Sequence, residues 1–190
     1  MENVSVTAFD IARGIGYLTV QEVDAIKRVV KLLPRHAICV NIGSGAGTSV
    51  IAVLEERPDL TVYDVDLTLE NGAAQLRETG FNGALNLHRI EGDSKEIGRL
   101  WLGGEIDYLF IDGDHSPTGI MGDYDAWLPH MRPGSFILVH DYWPYPPGHK
   151  LAGRLDWPAV AEVTDAVLLR YAVLFDCDRL RVFEMVERPL

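Results

Sequence analysis

Polar residues that could bind a ligand or transfer a proton follow each of five apolar runs in the sequence. These residues are Asn41, Asp66, Asp93, Asp112, His115, His140 and Asp141. A single acidic residue at such a position can simply cap the helix that follows. Five consecutive runs that end in this way favour one shared site in which carboxylates and imidazoles lie together.

The first run leads into a glycine-rich turn, "VNIGSGAGTS", at residues 40–49. Its glycines are Gly43, Gly45 and Gly47, whereas a dinucleotide-binding turn has the spacing G-x-G-x-x-G. No Gly-Lys-Ser/Thr follows, which also excludes a P-loop for nucleoside triphosphates. A turn so free of side chains predicts that the backbone closely approaches a different ligand.

The apolar runs alternate with helix-like segments, and this alternation predicts a parallel sheet with helical crossovers. The runs are "AICVNI", "LTVYDV", "ALNLHRI", "IDYLFI" and "SFILVH", and the predicted helices cover 20–33, 48–56, 68–79, 94–102 and 120–131. The first helix begins with a capping box, Thr19 with Glu22, and ends before Pro34. The carboxyl ends of parallel strands share one edge, so the polar residues should border a single ligand site.

The last part of the chain has a different pattern. "RYAVLF" and "RLRVFEMV" flank the short "DCD", which predicts an antiparallel hairpin added to the sheet. Residues 142–156, "YWPYPPGHKLAGRLD", are rich in Pro and aromatic residues and should form an irregular loop beside the site. We expect this loop to be mobile without a bound substrate and to close over one as a lid.

The composition restricts the partners. The chain has 190 residues, with 17 Lys and Arg against 28 Asp and Glu, and its net charge of −11 argues against nucleic acid as a partner. Neither a leader peptide nor a membrane span is expected, so a single cytoplasmic domain over residues 1–190 is predicted. Cys39 and Cys177 are far apart in the sequence and form no C-x-x-C motif, so neither a disulfide framework nor a zinc site is expected. Trp101, Trp127 and Trp157 are expected in the core.

The glycine turn and the strand ends together resemble the class I S-adenosylmethionine-dependent methyltransferases. The stretch "LFIDGDHSPTGIMGDYDAWLPHMRPGSFILVHDY" is similar to the family that contains macrocin-type sugar O-methyltransferases and proteins described as cephalosporin hydroxylases. The resemblance runs from about residue 19 to the terminal hairpin. It implies a Rossmann-like, doubly wound sheet of seven strands, mostly parallel, with the C-terminal hairpin antiparallel.

The resemblance also implies which residues bind S-adenosylmethionine. The glycine turn would approach the amino-acid and ribose parts, Asp66 would hold the ribose hydroxyls, and Asp93 would accept from the adenine amine, with Ser94 capping the next helix. Members of that family usually have an acidic residue before the glycines, and this chain has Asn41 at that position. The full implied set is Asn41, Gly43, Ser44, Gly45, Gly47, Ser49, Asp66, Asp93, Ser94 and Asp112.

A divalent metal site is the second implication. By similarity to catechol-type enzymes, Asp112, His140 and Asp141 would bind the cation, Mg or Mn, although an imidazole suits Mn better than Mg. The alternative is that His140 packs beneath the aromatic loop and only Asp141 faces the site. His115 lies where relatives place the base that removes the substrate proton, and an ordinary pKa near 6.5 would suit that role. His140 is the alternative base if no metal takes part.

The expected function is therefore S-adenosylmethionine-dependent O-methylation of a hydroxyl group on a small molecule, assisted by a metal. Two alternatives stay open: a hydroxylase that uses the same metal site, and a protein that binds S-adenosylmethionine without catalysis. A homodimer is compatible with the sequence.

Overall fold

The structure is a computed structural model that describes residues 6–15 and 17–187. Its centre is a sheet with the strand order β3-β2-β1-β4-β5-β7-β6. The strands are β1 (Ile38–Ile42), β2 (Thr61–Asp66), β3 (Leu87–Glu91), β4 (Ile106–Ile111), β5 (Met131–Val139), β6 (Ala172–Cys177) and β7 (Leu180–Glu184). β1 to β5 are parallel, and β7 runs antiparallel to both β5 and β6. The predicted Rossmann-like sheet with its antiparallel hairpin is confirmed.

Helices cover both faces of the sheet, as expected for parallel strands that are buried on both sides. They are α1 (Ala8–Gly14), α2 (Val20–Leu32), α3 (Thr48–Glu56), α4 (Ala73–Glu78), α5 (Ser94–Arg99), α6 (Pro117–Trp127) and α7 (Pro158–Leu168). Two short 3-10 helices follow α4 and α6, at Phe81–Gly83 and Leu128–His130. The first four helices contribute to one apolar cluster and the last three to the other. No helix in the described part of the chain has the length and apolar character needed to cross a membrane.

Local sequence signals explain most of the helix ends. The Thr19 side chain accepts from the Glu22 backbone N–H and the Glu22 carboxylate accepts from the Thr19 N–H, so the predicted capping box forms. A second capping box, Thr7 with Asp10, begins α1, a helix outside the predicted ranges. The predicted helix over 68–79 is wrong in its first turn, because residues 67–72 form a loop that hydrogen-bonds to Asp66.

The sheet ladder continues one residue past several strand ends and brings the predicted polar residues side by side. The backbone N–H of Asp112 donates to Ile42, and that of His140 donates to Ile111. On the far side, the Tyr142 N–H donates to the carbonyl of Arg179 in the β6–β7 turn. The terminal hairpin therefore delivers its turn to the same edge of the sheet as the carboxyl ends of β1, β4 and β5.

Candidate active site

Two cavities lie at this edge of the sheet, and Gly43, Gly45 and Asp112 line both of them. The larger cavity has a volume of about 610 Å³ and includes Asp66, Asp93 and Ser94 in its walls. The smaller has a volume of about 360 Å³, and its walls include Ser44, Ser49, His115, His140 and Asp141. The predicted cofactor and catalytic residues thus surround one continuous region, except that Asn41 and Gly47 line neither cavity.

The glycines of the turn have different roles. A Cβ atom on Gly43 would lie 2.1 Å from the carbonyl oxygen of Asp112, so the close approach of β1 and β4 requires glycine there. Gly45 has a φ of +48°, and a Cβ on it would meet only the Tyr17 ring, at 3.8 Å, within 4 Å. Gly45 is therefore the turn glycine that faces the open cavity. Gly47 is the N-cap of α3, against the backbone of Gly72, and its contact with the cofactor stays a prediction.

Asn41 belongs to a buried network beneath the turn. Its Nδ2 donates to Asp64 Oδ1 at 3.0 Å and to the Gly43 carbonyl at 3.0 Å, and its Oδ1 accepts from Ser49 Oγ at 2.7 Å. Asp64 is fully buried and also accepts from Ser44 Oγ at 2.7 Å. The amide of Asn41 therefore bridges the buried carboxylate of Asp64 to the glycine turn.

Arg89, on β3, compensates the charge of Asp64, a role that no local sequence pattern indicates. Its Nε donates to Asp64 Oδ2 at 3.0 Å, and its terminal nitrogens donate to the carbonyls of Leu69 and Asn71. Asp66 holds the same loop from the other side, since it accepts from the backbone N–H of Ser44 and Thr68. The glycine turn and the 67–72 loop are therefore connected through two carboxylates and one guanidinium.

The predicted capping role of Ser94 is wrong. Asp93 is the N-cap of α5 and accepts from the Lys95 N–H at 2.8 Å, because the helix begins at Ser94 itself, as its predicted bounds imply. Ser94 instead donates its hydroxyl to Asp123 on α6. Burial raises the pKa of Asp123 from 3.8 to about 6, against the opposing effect of the Ser94 hydrogen bond.

We expect Asp123 to reduce stability as pH rises. A carboxyl whose pKa is higher in the folded chain binds more protons when folded, so its favourable contribution is complete below pH 4 and is lost as pH rises through about 6. Asp123→Asn keeps an acceptor for Ser94 and does not ionise. The free energy of unfolding of Asp123→Asn minus that of wild type should increase by about 1 kcal/mol between pH 5 and pH 7.5. Urea unfolding at the two pH values measures this difference. A pH-independent difference would contradict the raised pKa.

An acid–histidine cluster lies where the two cavities meet; we define it as Asp112, His115, His140 and Asp141. His115 Nε2 is 3.3 Å from Asp112 Oδ1 and 2.9 Å from Asp141 Oδ2. His140 Nδ1 is 3.3 Å from Asp112 Oδ1 and 3.2 Å from Asp141 Oδ1. Both imidazoles therefore contact both carboxylates, and the four residues predicted to carry the chemistry are together.

Arg179 completes the cluster from the β6–β7 turn, and no local pattern in the sequence points to it. Its guanidinium pairs with the Asp141 carboxylate, and its side chain is only 6% exposed. The Tyr145 ring covers the guanidinium at 3.8 Å from carbon to ring centroid. Asp141 has a φ of +59°, in the left-handed region that Asp tolerates better than most residues. The structure thus surrounds Asp141 with three basic groups.

These charges shift the pKa values of the cluster. Burial opposes the charged form of His115, but its hydrogen bonds to Asp112 and Asp141 outweigh this and raise its pKa from 6.5 to about 9. Burial would likewise lower the pKa of His140, yet Asp112 and Glu22 hold it well above 6.5. The pKa of Asp141 is lowered despite its burial, because His115 and His140 bind its charged form. The ordinary pKa near 6.5 expected for His115 is therefore wrong.

Residues 142–156 contain no helix or strand, as predicted, and they fold against the cluster. Tyr145 exchanges backbone hydrogen bonds with residues 153 and 154, and its side chain lines the smaller cavity. Trp101 and Trp127 are buried, as expected. The prediction is wrong for Trp157, which is 45% exposed and stacks on the His115 ring with centroids 4.9 Å apart. Trp157 is a wall of the cavity because it precedes α7 at the site edge.

A family profile described as a methyltransferase domain matches residues 40–142, which is more than half of the chain. The chain belongs to this methyltransferase family. The matched part begins at β1 and ends just after Asp141, so it contains the glycine turn and the whole acid–histidine cluster. The methyltransferase uses S-adenosylmethionine as its methyl donor, as the resemblance implied.

Solved structures share the fold of this methyltransferase at low identity. A candidate caffeoyl-CoA O-methyltransferase from Staphylococcus aureus has a TM-score of 0.71 and 12% identity, over 94% of this chain and 93% of that chain. A candidate O-methyltransferase from Klebsiella pneumoniae has a TM-score of 0.68 and 16% identity, over 90% of this chain and 82% of that chain. A third structure is the methyltransferase MycE of the mycinamycin pathway, solved with Mg, S-adenosylhomocysteine and mycinamycin VI. It has a TM-score of 0.63 and 16% identity, over 97% of this chain and 55% of that chain.

Proposed function

We propose that this methyltransferase transfers the methyl group of S-adenosylmethionine to a hydroxyl oxygen of a small molecule. The observation that carries the proposal is the acid–histidine cluster at the junction of the two cavities. Transfer to oxygen requires a group that accepts the hydroxyl proton, and His115 lies in the wall of the smaller cavity, in contact with two carboxylates. Titratable groups with shifted pKa values in a cleft are typical of catalytic sites.

The larger cavity suits the adenosine part of the donor. Asp66 and Asp93 offer carboxylates to hydroxyl and amine donors, and the cavity joins the smaller one at Gly45 and Asp112. The sulfonium methyl would then lie near that junction. The acceptor would occupy the smaller cavity, between the cluster and the rings of Tyr17, Tyr145 and Trp157.

In this arrangement the protein aligns the reactants rather than supplying a covalent intermediate. S-adenosylmethionine bound in the larger cavity would supply an activated methyl carbon to the acceptor oxygen, with the C–S bond breaking as the C–O bond forms and S-adenosylhomocysteine as the leaving group. His115 Nε2 would accept the hydroxyl proton. Asp112 and Asp141 stabilise the imidazolium that results, because both lie within 3.3 Å of this nitrogen. The loop and Trp157 exclude water from the transfer.

The cluster also fits a divalent cation, which we include in the proposal. Asp112, His115 and Asp141 each offer a ligand atom, and these atoms lie within 4.8 Å of one another. His140 Nδ1 faces the same two carboxylates. We assign the ligands to Asp112, His140 and Asp141, a mixed oxygen and nitrogen set that suits manganese, iron or zinc better than magnesium. A bound cation would lower the pKa of an acceptor hydroxyl.

Asp66→Ala should weaken binding of S-adenosylhomocysteine by about ten- to a hundredfold, as expected for the loss of a hydrogen bond to a charged group worth roughly 1.5–3 kcal/mol. Part of the loss would come from the 67–72 loop, which Asp66 holds through Thr68 and Asn71. Titration calorimetry measures the affinity. Asp125→Ala, on α6, is a control outside both cavities and should leave it unchanged. Equal affinities of wild type and Asp66→Ala would contradict the assignment.

The proposed reaction is tested with donor labelled in the methyl group and a library of compounds that carry hydroxyl groups. We expect labelled methyl ethers from at least one acceptor class, in the presence of Mn²⁺. Label transferred only to nitrogen or sulfur acceptors would overturn the oxygen assignment. Binding of S-adenosylhomocysteine without any transfer would favour a non-catalytic role instead.

A further inference from the structure

Glu22 lies behind the acid–histidine cluster and is fully buried. Its Oε2 accepts from the Thr19 N–H at 2.8 Å, and its Oε1 accepts from the Arg179 N–H at 2.8 Å. One carboxylate therefore joins the first turn of α2 to the β6–β7 turn that carries Arg179. A capping box needs only the first of these bonds, so Glu22 does more than begin a helix.

The carboxylate also faces the far side of His140. Glu22 Oε2 is 3.4 Å from His140 Nε2, a buried ring nitrogen with no hydrogen-bond partner. The other ring nitrogen, Nδ1, points to Asp112 and Asp141. The imidazole is thus placed between a buried acid at one nitrogen and the reactive cluster at the other. A separation of 3.4 Å is longer than a full hydrogen bond, as is common at catalytic sites before ligands bind.

We propose that Glu22 is a positioning residue: it holds the Nε2 proton of His140, and so keeps Nδ1 directed at Asp112 and Asp141 as a ligand atom. The same carboxylate fixes the backbone of Arg179, whose guanidinium pairs with Asp141. A carboxylate behind a metal-binding imidazole sets the ring orientation and the donating nitrogen. The inference rests on the proposed function, since it assigns a role to Glu22 within the cluster.

The first test compares Glu22→Gln with a matched control in the other capping box. Gln places an amide N–H where His140 or Arg179 needs an acceptor, whereas Asp10→Asn makes the same chemical change at α1, where Asp10 is half exposed. We expect Mn²⁺ affinity and kcat to fall about tenfold or more in Glu22→Gln, with the KM for S-adenosylmethionine unchanged, and neither to change in Asp10→Asn. Such losses are typical when the outer partner of a metal-binding His is removed.

Wild-type Mn²⁺ affinity and kcat in Glu22→Gln would overturn the inference, as would losses equal to those in Asp10→Asn. A wild-type protein without turnover would instead contradict the proposed function, so the two failures are distinguishable. A second measurement needs no stable Glu22 variant. In ¹⁵N NMR spectra of the wild-type protein loaded with Zn²⁺, His140 should show a slowly exchanging Nε2 proton that is missing in His140→Gln. Its absence from the wild-type spectrum would also overturn the inference.

Discussion

Asn41→Asp should destabilise the protein by about 4 kcal/mol at pH 7. The new carboxylate would replace the amide that donates to Asp64 at 3.0 Å, and two buried carboxylates at that distance cannot both stay ionised. The chain can avoid the repulsion by binding a proton. Keeping a carboxyl with an ordinary pKa of 3.9 protonated at pH 7 costs about 1.4 kcal/mol for each pH unit.

This mechanism predicts the pH dependence of the defect. A carboxyl that must be protonated in the folded chain binds an additional proton relative to the unfolded chain, so the variant loses stability as pH rises. The deficit should therefore shrink to about 2 kcal/mol at pH 5.5. Urea unfolding at the two pH values measures it. A deficit that is constant with pH would mean that a lost hydrogen bond, rather than repulsion, is responsible.

A variant in which Asn41 and Asp64 exchange their side chains tests directly whether these two residues interact. In Asn41→Asp combined with Asp64→Asn, an amide and a carboxylate again face each other, although the acid lies farther from Arg89. The double variant should be more stable than the sum of the two single changes by about 2 kcal/mol, within the range of coupling between residues in contact. Simple additivity would show that the two side chains do not interact.

The network around Asn41 also shows which parts of the site a sequence can reveal. Asp112, His140 and Asp141 were predicted because each directly follows an apolar run, and parallel strands bring such positions to one edge. Arg89 and Asp64 lie inside strands, where alternate residues face the covering helices, and nothing local shows that they pair. Their role depends on the register of β2 against β3, which pairs Asp64 with Arg89.

Arg179 and Glu22 were missed for a related reason. Glu22 lies 90 residues before Asp112 and Arg179 lies 38 residues after Asp141. Only the antiparallel placement of β7 beside β5 brings the hairpin turn to the site. The capping box around Glu22 is visible as a helix signal, and this local role already explains a Glu three residues after Thr19. The contacts of Glu22 with the Arg179 N–H and with His140 Nε2 become apparent only from the packing of α2 against the strand ends.

His115→Ala is expected to lower kcat by about 10²–10⁴-fold, the usual contribution of a general base. His115 Nε2 lies at the cavity wall, and two carboxylates stabilise the imidazolium that proton transfer produces. The affinity for S-adenosylhomocysteine should stay within about threefold of wild type, a difference below about 1 kcal/mol. His130→Ala is the control, because His130 binds the Gly98 carbonyl and lines neither site cavity.

The pH profile identifies the role of His115 more directly than the loss of rate. A base must be neutral to accept a proton, and its two carboxylate neighbours raise the pKa of His115 to about 9. In the presence of EDTA, kcat/KM should therefore rise by about tenfold per pH unit and level off near pH 9, and this rise should disappear in His115→Ala. A cation bound to Asp112 and Asp141 would compete with the imidazolium for the two carboxylates, so Mn²⁺ should move the rise to lower pH.

Metal affinity separates the base from a ligand, since His115 also belongs to the group of residues that could hold the ion. Asp112, His140 and Asp141 are intact in His115→Ala, so its Mn²⁺ affinity should stay within about threefold of wild type while kcat falls. If Mn²⁺ affinity fell in parallel with kcat, His115 would be a ligand and the proton would pass to another group. His140 would be an unsuitable substitute, because it is 3% exposed and both its nitrogens face carboxylates. The assignment of His115 as the base therefore depends on one measurable outcome: a variant that still binds the cation and the donor but no longer transfers the methyl group.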